Sequence, residues 1–511
     1  MSVKNNLLLF LALLLQINIS AQKKAAPPVI VIMADQLRAD VLGPFTPNIN
    51  ALQKDGIVFS RAYCAAPLCA PSRASFFTGN YPNRTGSMIN PWEKEDEVFG
   101  NTRAGLPNLY QLMEGTWDSH HVGKQHFFTE EKIDKNPTSG TKWITQEDYS
   151  NWIKEQKKTK PGGKQYKDNA PELVSGTHTQ LRSYSTPAVG VYKDGPDFFL
   201  DRYIANESIK AIRNRDKKKP LLLNTMFLAP HPPFSIPEPY YSMYGPKDFT
   251  LPDNVGQWYP GQSPLQMYNL TGFIGTRYSR EQWREVWAKY LGLVKLLDDE
   301  VGRVIAALKE EGLYDQAIIL FTADHGEMLG SHSLWQKMCM YEESARVPFI
   351  LKMPASESVS VKESGALISL VDFLPTLLDY TGIKTTATMD GTTLMPVIKG
   401  KPQQRPSIFL QYDGNGSLGS SQRCVIKGNY KLVVDMFKDE AYLELYDVLK
   451  DTKESVNLLF NPSFAAIADD MIRELSTYMK QTGDRLSLPD DLRTRFLKNY
   501  KNGIQKSDKV Q

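Results

Sequence analysis

The sequence predicts an α/β fold in which a mostly parallel sheet is covered on both sides by helices. Three short apolar runs, each followed by polar residues, are typical of strands buried on both faces, and they span residues 29–33, 221–227 and 317–322. A long helix is predicted from Ser279, which forms a capping box with Gln282, to Gly312. Because strands alternate with helices, the strand ends should meet at one rim, where ligands of open α/β sheets collect.

The pattern becomes strand-like after Gly400, which predicts a second and smaller domain. Short alternating segments and a final helical pattern lie at residues 407–412, 422–427, 430–434, 442–446 and 465–479. A small antiparallel sheet with one helix accounts for them. We therefore predict a large domain over residues 22–400 and a small α+β domain over residues 401–511. Two stretches without periodicity, 140–197 and 237–278, are predicted to be long loops.

The first 21 residues have the layout of a cleaved secretory signal peptide. Lys4 precedes an apolar run at residues 7–15, and the small residues Ser20 and Ala21 come directly before Gln22. The apolar run is too short to span a bilayer. We therefore expect an exported protein, periplasmic or secreted, without a membrane partner.

Net charge and cysteine count exclude several classes of protein. The formal net charge is only +3 over 511 residues, which argues against a nucleic-acid partner and against a basic membrane-binding patch. The four cysteines are too few for a fold held together by disulfides. With so little net charge, attraction for an anionic substrate must come from a local group of side chains.

One cysteine lies in a distinctive run, Leu68-Cys69-Ala70-Pro71-Ser72-Arg73. A lone cysteine is most often a small buried hydrophobe. This run, however, resembles the sequence that maturation enzymes of the type I sulfatase family read before they oxidise a cysteine to formylglycine. The resemblance implies an alkaline-phosphatase-like fold and a formylglycine-generating enzyme as a partner. It also implies that the hydrated aldehyde at Cys69 attacks and then releases the sulfate group, and that Arg73 holds this hydrate.

Two polar pairs follow the first and third predicted strands and form a candidate metal site. Asp35 and Gln36 come after one strand, and Asp324 and His325 come after the other. Two carboxylates, an amide oxygen and an imidazole at one rim suit a divalent cation. The resemblance to sulfatases implies this pair of elements, usually with calcium. Because Gln36 replaces a commoner aspartate, manganese is the alternative to calcium.

Four further residues match positions at which the sulfatase family contacts sulfate. Lys124 and His126 belong to a Gly-Lys-x-His element, His231 follows the second predicted strand, and Lys337 lies downstream of the metal pair. A fixed ammonium and an imidazole can stabilise charge on a transferring sulfuryl group and protonate the departing alcohol. Either His126 or His231 is expected to be that general acid.

The predicted function is hydrolysis of sulfate esters on a glycan. An exported enzyme meets polymer-derived saccharides, and aromatic residues of the loop at 237–278 could stack on sugar rings or simply pack the loop. The pair Asp35-Gln36 also resembles sulfatases that act on uronic acid 2-O-sulfates of glycosaminoglycan type. Two alternatives stay open: a phosphonate or phosphate ester hydrolase of the same superfamily, and a catalytically inactive binding protein with the sulfatase fold.

Overall fold

The computed structural model describes residues 26–92, 94–175, 177–402 and 405–507. The predicted signal peptide over residues 1–21 lies outside them. The large sheet has eight strands, in the spatial order Glu363–Ser369, Ile57–Tyr63, Phe349–Lys352, Ile318–Ala323, Val29–Asp35, Leu221–Pro230, Asp118–Gly123 and Thr141–Thr145. Within it, Phe349–Lys352 runs antiparallel to both neighbours, and the other pairings are parallel. The sheet is therefore mostly parallel, as predicted.

The three predicted strands are confirmed and lie side by side at the centre of this sheet. Val29–Asp35 pairs with Ile318–Ala323 on one side and with Leu221–Pro230 on the other. All residues of the first two strands are buried, as expected for strands covered on both faces. The parallel register brings Asp35 and Asp324 to neighbouring points of the same rim.

The longest helix, Arg280–Glu310, is the one predicted from its capping signals. The Gln282 backbone N–H donates to the Ser279 hydroxyl, and the Ser279 N–H donates to the Gln282 side chain. The chain leaves the helix through Gly312, whose φ of 68° lies in the left-handed region that glycine adopts without strain. This helix packs against the sheet and against the helix Leu200–Asn214.

The remaining helices of the large domain are mostly short. Cys69–Thr78 matters most for the site, because all ten of its residues are buried. It packs against Leu109–Met113 and Phe373–Thr381. The others are Pro47–Asp55, Pro82–Thr85, Glu97–Gly100, Gln146–Glu155, Leu270–Gly275, Glu342–Ala345 and Met395–Ile398.

A separate antiparallel sheet follows, as predicted, with strands in the order Ser407–Tyr412, Ser421–Lys427, Tyr430–Phe437 and Glu440–Asp447. The predicted helix is present as Ala465–Thr482 and packs on this sheet. A further helix, Leu492–Ser507, was not predicted. The first strand of the small sheet contacts the edge strand Glu363–Ser369 of the large one. The domain boundary at residue 400 stays a prediction.

The prediction of a long loop over residues 140–197 is wrong. The stretch contains the elements Thr141–Thr145, Gln146–Glu155, Lys167–Val174, His178–Ser185 and Val189–Tyr192. The strand His178–Ser185 is exposed along most of its length, so it lacks the apolar alternation by which strands are predicted. Residues 237–278 agree better with the prediction, because their helical segments are short.

Two further features of the molecule are the state of its cysteines and the hydropathy of its helices. All four cysteines are buried and free. Within the described ranges, no helix has both the length and the apolar character needed to cross a bilayer.

Candidate active site

Cys69 begins the helix Cys69–Thr78 and lies in the middle of a group of charged side chains. Its Sγ atom is 3.2 Å from His325 Nε2, 3.4 Å from Lys124 Nζ and 3.9 Å from Asp35 Oδ1. The cysteine itself is only 2% exposed. A buried thiol surrounded by ionisable groups differs from the small buried hydrophobe that a structural cysteine forms.

Positive charge around Cys69 outweighs the effect of burial. Burial alone would raise the pKa of the thiol, but Lys124, Lys337 and His325 lower that pKa well below its usual value. The N-terminus of the ten-residue helix adds to the same field. The site therefore stabilises negative charge at the position of the Cys69 side chain.

Arg73 lies one helical turn after Cys69 and joins the two aspartates. Its Nε donates to Asp324 Oδ2 at 2.9 Å, and its Nη2 donates to Asp35 Oδ2 at 3.0 Å. All three side chains are fully buried. Burial and Cys69 would raise the pKa of Asp35, but Lys124, His231 and Arg73 together keep it below its usual value. Arg73 thus holds two carboxylates at fixed positions beside Cys69.

Three of the four predicted metal ligands, Asp35, Asp324 and His325, converge beside Cys69. Ligand atoms of Asp35, Cys69, Asp324 and His325 all lie within 4.8 Å of one another, and all four residues are buried. Burial and the neighbouring Asp35 raise the pKa of Asp324, because two close carboxylates repel when both are charged. A divalent cation would remove this repulsion. The donor set of carboxylate oxygens and one imidazole fits such a cation.

Gln36 is oriented by a residue that the sequence patterns did not reveal. Its backbone has a φ of 64°, and its N–H donates to Asp324 Oδ1 at 3.1 Å. Its side-chain amide donates to the Glu327 carboxylate, and its Oε1 accepts from Lys337 Nζ at 2.6 Å. Glu327 is fully buried and also accepts from the Leu329 N–H at 2.9 Å. Glu327 therefore acts as a positioning residue for Gln36.

Lys337 and His231 form a pair on the side of the site that faces solvent. Lys337 Nζ lies 3.2 Å from His231 Nε2, and the other ring nitrogen contacts the Pro232 carbonyl. Burial and the neighbouring Lys337 lower the pKa of His231. The His231 side chain is 22% exposed, whereas Asp35, 4.0 Å from Nε2, is fully buried. Of the residues that contact Asp35, His231 is thus the one nearest the opening.

Lys124 and His126 also lie beside Cys69. Lys124 Nζ forms an ion pair with Asp35 and lies 3.4 Å from Cys69 Sγ. Burial and Lys124 lower the pKa of His126 to about 4, although the adjacent Cys69 favours the charged ring. The Nδ1 atom of His126 is buried and has no hydrogen-bond partner among the described residues. A neutral imidazole with a free nitrogen can accept a proton.

A cavity of about 170 Å³ lies beside His231, and Asp201 and Lys160 contribute to its lining. Asp201 is 1% exposed, and its Oδ1 accepts from the Leu228 and Ala229 N–H groups. Its Oδ2 has no hydrogen-bond partner in the described part of the chain. Lys160 is exposed at the rim. The cavity therefore offers a carboxylate oxygen and an ammonium to a polar group that reaches past His231.

Comparison with known proteins decides the family. The family model for sulfatases matches residues 27–383, more than half of the chain. The chain belongs to the sulfatase family. A second model, for the C-terminal region of N-sulphoglucosamine sulphohydrolase, matches residues 330–481. This sulfatase is therefore a sulfuric ester hydrolase with the alkaline-phosphatase-like fold, which confirms the resemblance to the sulfatase family.

Three similar proteins cover most of the sulfatase chain. An arylsulfatase from Clostridium perfringens is 28% identical over 462 residues, which are 85% of this chain and 90% of that protein. The structure of a phosphonate monoester hydrolase from Agrobacterium radiobacter is 23% identical in sequence and has a TM-score of 0.71. The match covers 89% of this chain and 96% of that protein. The structure of a 2-O GAG sulfatase is 22% identical in sequence and has a TM-score of 0.68. The match covers 92% of this chain and 96% of that protein.

The structure brings together the site residues that the sequence predicts. They are Asp35, Gln36, Cys69, Arg73, Lys124, His126, His231, Asp324, His325 and Lys337. The individual roles of these residues in the sulfatase stay predictions.

Proposed function

We propose that this sulfatase hydrolyses sulfate esters of a glycan through a formylglycine made from Cys69, with a divalent cation beside it. The observation that carries the proposal is the convergence of Lys124, Lys337 and His325 on the Cys69 side chain. A sulfuryl group in transfer carries negative charge on its outer oxygens. Fixed cations in a site closed to water stabilise this charge without having to reorganise.

Asp35, Gln36, Asp324 and His325 would hold the cation, with calcium as the first candidate and manganese as the second. Bound there, the cation supplies Lewis acidity to a sulfate oxygen. The Lys337 ammonium donates to Gln36 Oε1 at 2.6 Å, so it would lie beside the bound cation. Glu327 supports the arrangement, because it fixes which end of the Gln36 amide faces Lys337.

Hydrated formylglycine supplies two geminal hydroxyls, one to attack sulfur and one to release the sulfate afterwards. His126 is suited to accept a proton at this position. It is neutral at neutral pH because its pKa is lowered to about 4, and its Nδ1 has no partner in the described residues. Arg73 keeps Asp35 and Asp324 in place during the reaction through its two ion pairs.

His231 and Lys337 are suited to protonate the departing alcohol. Lys337 Nζ and His231 Nε2 are 3.2 Å apart and can hold a proton between them. The His231 side chain is 22% exposed, so an alcohol that leaves towards solvent on this side can contact it. We propose His231 as the proton donor because the Lys337 ammonium can pass a proton to its Nε2 atom, from which the alcohol takes it. His126 is the proposed proton acceptor because its Nδ1 atom has no partner among the described residues.

A glycan substrate is supported by the opening and by the fold. The cavity beside His231 presents Asp201 and Lys160, which can contact hydroxyl or acidic groups of a sugar. The 2-O GAG sulfatase shares the fold over 92% of this chain. The aromatic residues of the loop contribute less: Tyr240 donates to Asp299, and Tyr244 packs edge-on against Phe45. Loop packing explains these two rings.

A panel of defined sulfated mono- and disaccharides tests the proposed substrate. It should include a uronic acid 2-O-sulfate, an aryl sulfate and a phosphonate monoester. The phosphonate arm is needed because the phosphonate monoester hydrolase shares the fold with a TM-score of 0.71. We expect the highest kcat/KM on a sulfated saccharide. A higher kcat/KM on the phosphonate ester would favour the second candidate function.

We also propose that the mature enzyme is exported and begins near Gln22, after removal of residues 1–21. The proposal rests on the sequence pattern of that segment. N-terminal sequencing of protein from its native cell would give Gln22 or a neighbouring residue first. Recovery of Met1 in exported protein would contradict it.

A further inference from the structure

A second group of potential metal ligands lies where the two domains meet. His332 and Glu343 belong to the segment between the strands Ile318–Ala323 and Phe349–Lys352, and Glu454 follows the last strand of the small sheet. One ligand atom from each lies within 4.8 Å of the other two, and all three residues are buried. None of the three belongs to the group around Cys69.

The His332 ring is held with one particular nitrogen free. Gln262 Nε2 donates to Gln266 Oε1 and to the His332 carbonyl, so Gln262 Oε1 is the end of the amide that accepts. That oxygen lies 3.3 Å from His332 Nδ1, which must therefore carry the hydrogen. Nε2 is left with its lone pair, which is the form in which histidine binds metals.

Stacking fixes the plane of the same ring. The His332 ring lies parallel to the Tyr341 ring, with centroids 3.9 Å apart and 7° between the planes. The Tyr259 ring contacts it edge-on at 5.3 Å. His332 Nε2 is fully buried, and among the described residues it has no hydrogen-bond partner.

The two carboxylates differ in how far their oxygens are occupied. Glu343 Oε1 accepts from Asn254 at 2.6 Å, whereas its buried Oε2 lacks a hydrogen-bond partner within the described ranges. Glu454 Oε2 accepts from the Glu342 N–H at 2.7 Å, and its Oε1 lies 2.8 Å from Lys431 Nζ. His332 Nε2 and Glu343 Oε2 are thus both buried acceptors without a donor among the described residues, which is costly unless a cation lies close to them.

We propose that His332, Glu343 and Glu454 bind a second divalent cation, zinc by preference, that links the C-terminal domain to the large domain. One imidazole nitrogen with two carboxylates is a donor set that suits zinc, and Glu454 would share its charge between the ion and Lys431. Gln262 fills the role of the hydrogen-bond partner that orients a ligating histidine. Since Glu454 belongs to the C-terminal domain and the other two do not, the ion would connect both parts.

Metal analysis of purified, dialysed full-length protein tests this proposal. We expect about two divalent ions per chain in the wild type and about one in Glu343→Gln, which keeps the shape of the side chain. Glu342→Gln is the matched control, because Glu342 is a buried neighbour paired with Lys431 and outside the proposed ligand set. It should keep both ions. Asp35→Asn should lose the other ion and keep this one, so that failure of the two sites can be told apart.

A crystal of the wild-type protein soaked in zinc chloride gives an answer that needs no substitution. We expect an anomalous peak at the zinc edge within bonding distance of His332 Nε2. In the competing account a proton on Glu454 replaces the ion, since burial raises the pKa of Glu454 to about 8. No peak at His332, or an equal metal content in wild type and Glu343→Gln, would overturn the proposal.

Discussion

The cluster around Cys69 and the cluster around Arg423 are both buried and charged, but they differ in how fully their polar atoms are used. Arg423 in the small domain donates to both oxygens of Asp484, to Asp413 and to two backbone carbonyls. All its nitrogens are paired. Around Cys69, by contrast, Lys124 and other cations lie beside a thiol and not beside a carboxylate that would complete an ion pair. In addition, His126 Nδ1 has no hydrogen-bond partner among the described residues.

Buried charge alone therefore does not mark a functional site. A closed set of ion pairs such as that of Arg423 can only stabilise, because it has no capacity left for a ligand. The Cys69 cluster keeps unsatisfied positive charge directed at one point, which suits an anionic substrate. Metal removal and substitutions at His231 and Arg423 would separate the two kinds of cluster, and a substitution at Glu444 would measure the effect of one buried carboxyl outside both.

Removal of the divalent cation should have the largest effect, because it would take away a double positive charge beside Asp35 and Asp324, whose carboxylates lie close together. We expect complete loss of sulfatase turnover in chelated protein. Calcium should restore it, with manganese as the alternative. Steady-state assays with metal analysis of the same samples would check this. Undiminished turnover in protein shown to be metal-free would contradict it.

Replacement of His231 should lower turnover by about 10²- to 10⁴-fold on a sugar sulfate, as for a lost general acid. An activated aryl sulfate should suffer less from His231→Ala, because its phenolate needs little protonation. His126→Ala should slow both substrates alike, since its proposed role concerns Cys69 and not the alcohol. Parallel kcat measurements on the two substrates would show the difference.

The exposed His178 supplies a matched control for these variants. His178→Ala should keep wild-type rates on both substrates. Equal losses on sugar and aryl sulfate in His231→Ala would mean that His231 only binds substrate.

Arg423→Ala should lower the free energy of unfolding by about 3–5 kcal/mol, because it leaves the buried Asp484 carboxylate without its arginine and Asp413 with Arg485 alone. The same change should leave kcat unaltered in the folded fraction at low temperature. Denaturant titration and initial rates would measure the two quantities. If Arg423→Ala lowered kcat and left the free energy of unfolding unaltered, the Arg423 cluster would have a catalytic role and not a stabilising one.

Because of Glu444, the free energy of unfolding should fall by about 3 kcal/mol as the pH rises from 4 to 7. Burial raises the pKa of its carboxyl to about 7, above the value of the unfolded chain. The folded state therefore binds this proton more tightly, and its stability falls as the pH rises through that window. Glu444→Gln should flatten the dependence, and the exposed Glu440→Gln should not. An unchanged pH profile in Glu444→Gln would count against the raised pKa.

Part of the site could be predicted because some of its residues directly follow buried strands, a position that the sequence reveals. Asp35 and Asp324 directly follow buried parallel strands, so their meeting at one rim follows from topology. Lys124, His231 and Lys337 came from resemblance to a family, since no local pattern marks them. Glu327 could have been noticed as one more acidic residue three positions after Asp324. Its role depends on the side-chain orientation of Gln36, which no sequence pattern contains.

The parts that could not be predicted depend on contacts between distant segments or on exposed elements. His332 and Glu454 are far apart in the chain, and each alone is an ordinary polar residue. The exposed strand His178–Ser185 has no apolar alternation, and so residues 140–197 were predicted to be a loop. By contrast, Arg280–Glu310 has caps and a regular apolar face, and its predicted ends agree with the structure.

Mass spectrometry of the peptide that contains Cys69, taken from enzymatically active protein, tests the central claim most directly. We predict an aldehyde or its hydrate at position 69, in proportion to the specific activity of each preparation. Cys69→Ala should be folded and inactive, whereas Cys424→Ala, which changes a buried cysteine of the small sheet, should stay active. Full activity in protein whose Cys69 is entirely an unmodified thiol would contradict the account.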